Sequence, residues 1–174
     1  SILLPAWNAG ATLRSCLSSL VRQTVSDWEC VVVDDGSTDD TPAILQQVSA
    51  EEPRIRVITR AHAGLVPALT SGLAACRGRL VARMDADDVM HRDRLADQVR
   101  ALEADPSLDA VGCHVRLFPR ASVSPRLREY EGWLNGMRSA DDVSRDAFVE
   151  CPVAHPTMLM RPRMAALGYR ECRW

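Results

Sequence analysis

The chain has 174 residues, 47% hydrophobic and 25% charged, enough length and apolar content for one globular core. Its formal net charge is −2, and its 21 basic residues are all Arg and scattered, so it offers no basic face for nucleic acid. No apolar run reaches the roughly 18 residues of a membrane span, and no secretory signal opens the sequence.

Ser1 to Pro5 is a short apolar run that predicts a buried strand, and Asn8-Ala9-Gly10 reads as a turn. Thr12 caps a predicted helix to about Thr24, with Leu13, Cys16, Leu17, Leu20 and Val21 at helical spacing. Trp28 to Val33 is a second strand, and its β-branched run without alternation marks a strand covered on both faces. Gly36 to Asp40 is turn chemistry, followed by a helix capped by Asp40 or Thr41 with Pro42 at its first position. Ile55 to Thr59 is a third strand, and Gly64 to Cys76 a helix closed by Gly78. Arg79 to Met84 is a fourth strand, Arg92 to Ala104 a helix, and Leu108 to Leu117 a further strand. Strand and helix alternate to about residue 117, which predicts an α/β fold with a mostly parallel sheet flanked by helices.

The pattern then breaks. Residues 119–128, with two Pro and three Arg, read as an exposed loop, and Glu129 to Phe148 as an irregular helix. Met158 to Met160 is a candidate strand, and Arg163 to Leu167 a short helix before Gly168. Ser1 leads straight into an apolar run, and the stretch from Tyr169 to Trp174 lacks a cap or a polar tail. The sequence therefore reads as a piece of a longer chain. The six cysteines form no Cys-x-x-Cys pair, and Cys16, Cys30, Cys76 and Cys113 fall in predicted elements. They are expected to be small buried thiols of a reducing, cytoplasmic compartment.

Two acidic clusters close predicted buried strands: Asp34-Asp35-Gly36-Ser37 and Asp85-Ala86-Asp87-Asp88. Carboxylates at the C-terminal ends of parallel strands face the crevice where open α/β sheets bind ligands. Asp85 and Asp87, at i and i+2, suit a hard cation such as Mg²⁺ or Mn²⁺, which takes oxygen ligands at about 2.0–2.2 Å and keeps positions free for phosphate. The competing reading is helix capping by Asp87 or Asp88. A carboxylate such as Asp34 or Asp35 can accept a hydrogen bond from a ring N–H such as N3 of uracil; the competing reading is an Asx turn, with Asp39 and Asp40 capping the next helix. His155, in Ala154-His155-Pro156-Thr157, is a candidate contact to a donor phosphate, an acceptor or a metal, or else a structural hydrogen-bonding group. His62 and His91 read as surface residues, and His114 as a structural residue inside a strand.

Taken in order, Ile2-Leu3-Leu4-Pro5-Ala6-Trp7-Asn8-Ala9, Val33-Asp34-Asp35-Gly36-Ser37-Thr38-Asp39, Gly64 to Ala74, Arg83-Met84-Asp85-Ala86-Asp87-Asp88, Cys151 to Thr157 and Gly168-Tyr169-Arg170 resemble the successive motifs of the family-2 glycosyltransferases. The resemblance implies a GT-A fold over 1–174 as one incomplete domain, with a nucleotide-binding part at 1–117 and the start of an acceptor-side part at 118–174. It implies inverting transfer from a nucleotide-diphosphate sugar, UDP-linked, to a carbohydrate or lipid-linked acceptor. Mg²⁺ or Mn²⁺ would assist, in a cell-envelope polysaccharide pathway at the inner face of the membrane. Carried over by position, Pro5, Ala6, Trp7, Asn8 and Asp35 line the nucleoside pocket with Asp34 beside it. Asp85 and Ala86 lie on the ribose side, and Asp87 with Asp85 holds the metal. Trp7 departs from the more frequent Tyr or Arg.

The family's general base stands on a helix after the Gly-Tyr-Arg segment. Here Glu171 comes too early, so the base is expected beyond Trp174. Two other readings compete. A sugar-1-phosphate nucleotidyltransferase would carry a basic Gly-rich loop after its first strand, but Pro5 to Gly10 has no basic residue before Arg14. A non-catalytic nucleotide-sugar-binding module is the second alternative.

Overall fold

The computed structural model describes residues 1–147 and 150–170. Six strands form one sheet in the order β3-β2-β1-β4-β6-β5: β1 Ile2–Ala6, β2 Cys30–Asp34, β3 Ile55–Thr59, β4 Val81–Arg83, β5 Ala110–Val111 and β6 Leu159–Met160. The first four are parallel, with Ala6 opposite Asp34 across β1–β2 and Leu3 opposite Arg83 across β1–β4. Sequence neighbours β1 to β3 run outward on one side, and β4 lies on the other side of β1. The order therefore reverses between β1 and β4, the switch point beside which such sheets bind ligands.

Both faces are covered, as the unbroken Val31-Val32-Val33 run predicts. Residues of α1 (Leu13–Val21), α2 (Thr41–Glu51) and α4 (Arg94–Ala104) pack with Ile2, Leu4, Val32 and Met84 in one core layer. Residues of α3 (Leu65–Ala75) pack with Leu3, Val31 and Val33 on the other. The α1 helix has no side-chain cap, at a cost of about 1 kcal/mol. It buries Leu13, Leu17 and Leu20, each worth roughly 1.5–3 kcal/mol, so packing rather than capping holds it. α3 lies close on the sheet because residue 72 is Gly: a Cβ there would stand 2.3 Å from Leu3 Cδ1.

Several expectations are corrected. The predicted parallel strand Leu108 to Leu117 is only the pair Ala110–Val111, bound antiparallel to β6 at the sheet edge. β6 also pairs antiparallel with β4, so the edge is held by a segment far along the chain. Cys113 and His114 therefore stand in an exposed loop rather than a strand. The first helix stops at Val21 instead of Thr24. The 119–128 stretch is not simply a loop: it contains a 3-10 turn at Arg120–Ser122 and the start of α5 (Pro125–Leu134), where Ser124 accepts from Leu127 N–H. The single irregular helix is two, α5 and α6 (Ala140–Asp146), and its expected end at Phe148 lies outside the described residues. A short α7 spans Pro162–Ala165. Of the cysteines, Cys16 and Cys30 are buried, Cys76 is half-buried, and Cys113 and Cys151 are exposed free thiols. Among the described residues no helix is long and apolar enough to cross a membrane.

Candidate active site

Three loops leave the C-terminal ends of β2, β1 and β4 side by side. The β1 loop is laced to the β2 loop. Asn8 takes a positive φ of 50°, a conformation Asn tolerates better than most side chains. Its carboxamide oxygen accepts from Thr38 N–H at 2.8 Å, and its own N–H donates to Ser37 Oγ at 2.9 Å. Ala9 N–H donates to Thr41 Oγ1 at 2.8 Å and Gly10 N–H to Asp39 Oδ2 at 2.9 Å. Asp39 also accepts from Thr41 N–H at 3.0 Å, so Asp39 rather than Asp40 secures the start of α2.

The sequence-predicted residues now separate by role. Pro5 and Ala6 are buried at the end of β1, whereas Trp7 is 55% exposed. Asp34 is buried and accepts from Ser37 N–H at 3.0 Å, the Asx-turn arrangement. Asp35 is also buried, and its carboxylate holds the loop between β3 and α3. Gly64 N–H and His62 Nδ1 approach Oδ2 at 2.8 and 2.9 Å, Ala63 N–H lies 3.2–3.3 Å from both oxygens, and Arg60 Nε lies 3.4 Å from Oδ1. Gly36 permits this closure with φ 73°, since a Cβ there would stand 2.7 Å from His62 N.

His62, read from sequence as a surface residue, is thus part of this wall. Its ring also stacks on Trp7, with centroids 4.5 Å apart and an interplanar angle of 22°.

Across β1, Asp85 stands about a third exposed and Asp87 exposed, with Ala86 buried between them. The fully buried guanidinium of Arg83 pairs with the Asp85 carboxylate through Nη1, while its Nε has no hydrogen-bond partner among the described residues. Arg94 holds the same strand, donating to the Arg83 carbonyl at 3.0 Å and to Gln98 at 3.0 Å. Gln98 in turn donates to the Thr157 carbonyl at 2.7 Å, tying the turn at His155–Thr157 to β4. From below, Cys16 Sγ donates to the Asp85 carbonyl at 3.3 Å. Burial, then the charges of Asp88, Asp87 and Asp85, pushes this thiol up to about 12, so it stays protonated.

Burial, then Asp85 and Asp87, pushes Asp88 up to about 6. Three adjacent carboxyl groups thus repel one another, and a cation placed among them would relieve that repulsion. Among the described residues no three His, Cys, Asp or Glu side chains form a ready-made metal cage. The donor set suits an oxygen-loving cation carried partly by phosphate and water. His155 is half-buried and edge-on to Tyr169, ring centroids 5.5 Å apart. Burial, then Arg83, lowers its pKa against the opposing pull of Asp85, so near neutral pH the imidazole is uncharged.

A cavity of about 790 Å³ lies elsewhere, between α4, the β5 edge and α6, with an apolar lining that includes Val111, Val143 and Val153. It contains none of the candidate carboxylates. None of the loops that leave β1, β2 and β4 lines it.

The match to known proteins decides what this crevice belongs to. The model of glycosyl transferase family 2 matches residues 1–167. The chain belongs to that family. As a family-2 glycosyltransferase it is 36% identical to Escherichia coli chondroitin synthase over 111 residues, 64% of this chain and 16% of that protein. It is 29% identical to an uncharacterized glycosyltransferase of Haemophilus influenzae over 98% of this chain and 53% of that one. The chain spans about half the length of its relatives or less.

Among solved structures it resembles the mannosyltransferase PcManGT of Pyrobaculum calidifontis, in complex with GDP-Man and Mn²⁺. Identity there is 30% and TM-score 0.62, over 66% of this chain and 35% of that one. Staphylococcus aureus TarS 1–349 shares the fold at 23% identity, TM-score 0.65, over 95% of this chain and 47% of that one. The expected GT-A architecture is thereby established.

Proposed function

We propose that this chain binds a nucleotide-diphosphate sugar, UDP-linked, in the crevice between the β1 and β4 loops. The sugar goes with inversion to a hydroxyl of a carbohydrate or lipid-linked acceptor. The observation that carries this reading is the placement of Asp35 and of Asp85–Asp87 on opposite sides of the β1 loop, at the switch point of the sheet. Pro5, Ala6, Trp7 and Asn8, with Asp35 and neighbouring Asp34, form the nucleoside end. Asp85 and Ala86 lie toward the ribose. Asp87, with Asp85, would hold Mg²⁺ or Mn²⁺ against the diphosphate, where such a cation offsets charge building on the leaving group. The solved relative that carries GDP-Man and Mn²⁺ supports a donor and a divalent ion of this kind.

The remaining contributions come from side chains. The Arg83 guanidinium pairs with the Asp85 carboxylate from beneath. The uncharged His155 stands beside that pair, where it contacts the donor phosphate or the acceptor hydroxyl. Isothermal calorimetry with UDP, with Mn²⁺ and after EDTA, tests the reading: metal should tighten binding, and equal affinity in both conditions would remove the cation from the account.

A further inference from the structure

We propose that the lobe built from α5 and the loop before it is a docking surface for an anionic lipid bilayer. The surface is read without reference to the crevice. Only its consequence rests on the nucleotide-sugar reading above: of the two acceptor classes, a chain seated on lipid favours the lipid-linked one.

Charge is the first observation. The segment from Gly112 to Arg138 holds Arg116, Arg120, Arg126, Arg128 and Arg138 against Glu129 and Glu131. That is +3 in a chain of net charge −2, so the rest of the sequence carries −5. All five Arg are exposed. An acidic body with one basic lobe turns that lobe toward an anionic surface and its other faces away.

The same lobe holds apolar side chains out. Phe118, Leu127 and Tyr130 are 57%, 47% and 38% exposed, three of the eight large exposed hydrophobic residues among those described. The backbone that carries Phe118 is laced along α5. Val115 N–H donates to Asn135 Oδ1 and the Val115 carbonyl accepts from Asn135 Nδ2, both at 2.8 Å, and Leu117 N–H donates to Glu131 Oε2 at 2.6 Å. Leu127 stands one helical turn before Glu131, so Phe118 and Leu127 are fixed on either side of that carboxylate. Its charge is cancelled by Arg120, whose Nη1 meets both oxygens at 2.7 and 2.8 Å. Tyr130 stacks on Trp133, and Trp133 Nε1 donates to Asp146 at 3.1 Å, where the acidic α6 bounds the patch.

Arg set among aromatic and aliphatic side chains is the composition of a bilayer interface. Guanidinium groups meet headgroup phosphates while Phe, Leu and Tyr enter the acyl boundary. A nucleic acid would also meet the Arg, but it gives an exposed Leu127 nothing to bury against.

The test is co-sedimentation of the chain with vesicles of mixed phosphatidylglycerol and phosphatidylcholine, and with vesicles of phosphatidylcholine alone. The chain should pellet with the mixed vesicles, far less with the neutral ones, and less as salt is raised. Arg116→Ser combined with Arg126→Ser should weaken binding about tenfold at unchanged melting temperature. Phe118→Ser combined with Leu127→Ser should weaken it by a similar factor. Arg22→Ser combined with Arg100→Ser removes the same charge from exposed positions elsewhere and should change little. An equal loss in that control, equal binding to both vesicle types, or no binding to either overturns the proposal. Tighter binding to a single-stranded oligonucleotide than to the mixed vesicles, or self-association abolished by Phe118→Ser, assigns the lobe to another occupant and overturns it as well. Calorimetry with UDP and Mn²⁺ reports on the crevice separately, so failure of the nucleotide-sugar reading and failure of this one are told apart.

Discussion

The guanidinium of Arg83, 2% exposed beneath β4, pairs with the carboxylate of Asp85 at the mouth of the crevice. A buried cation thus neutralises one member of the acidic cluster from inside the protein and competes there with any cation from solvent.

Replacing Arg83 by Met should therefore tighten Mn²⁺ binding in the presence of UDP by several-fold, because Asp85 is freed for the metal. Stability should change by no more than about 2 kcal/mol, since the carboxylate left behind can be hydrated rather than stranded in the core. Metal titration by calorimetry and thermal melting measure the two effects separately. Weaker metal binding in a folded variant would show that Arg83 supports the cation site instead of competing with it.

Asp35 and Asp39 should respond differently to truncation. Asp35→Ala leaves Arg60, His62 and two backbone N–H groups without their acceptor. The loss is expected to reach roughly 2–4 kcal/mol of stability, the cost of more than one buried unpaired donor, together with most of the UDP affinity. Asp39→Ala loses contacts to Thr41 and Gly10 on an exposed loop, and should lower the melting temperature slightly while leaving UDP affinity near its original value. Paired melting and binding curves distinguish them; a larger affinity loss at Asp39 would relocate the nucleoside end of the site.

The parallel half of the fold was legible because its signals are local. The Val31-Val32-Val33 run ends at Asp34, and Pro42 and Gly64 open helices where their backbone preferences predict. The antiparallel edge was not legible, because Ala110 and Val111 find their partner β6 nearly fifty residues later. Ser124-Pro125 did carry a helix-start signal, masked by the surrounding Arg and Pro.

In the site, the carboxylates were visible as residue types at strand ends. The roles of His62 and Arg83 were not, since each depends on which carboxylate tertiary contact brings beside it. One clue was present: Arg83 is the single charged side chain within the apolar stretch Leu80 to Met84, directly before an acidic cluster.

Acid should act on the fold through Glu29. Partial burial disfavours its charge, but hydrogen bonds from Ser1 Oγ, Arg77 N–H and Arg56 outweigh that and hold it down to about 2, from an ordinary 4.5. A depressed carboxyl contributes stability that is complete above its unfolded value and is lost as pH falls through its folded one. Glu29 should therefore stabilise the chain at pH 5 and above, with the contribution fading from about 4.5 down to about 2. Glu29→Gln should flatten the dependence of the denaturation midpoint on pH across that window. An unaltered slope would mean that other carboxylates carry the acid response.

The most direct test of the central claim is a crystal structure grown with UDP and Mn²⁺, with the metal located by its anomalous signal. The account predicts a Mn²⁺ peak bonded to a carboxylate oxygen of Asp87 at about 2.0–2.2 Å, with the diphosphate across it and the uracil in the crevice beside Trp7 and His62. A nucleotide bound outside the crevice between β1 and β4, for example in the apolar cavity beside Val143, would contradict it.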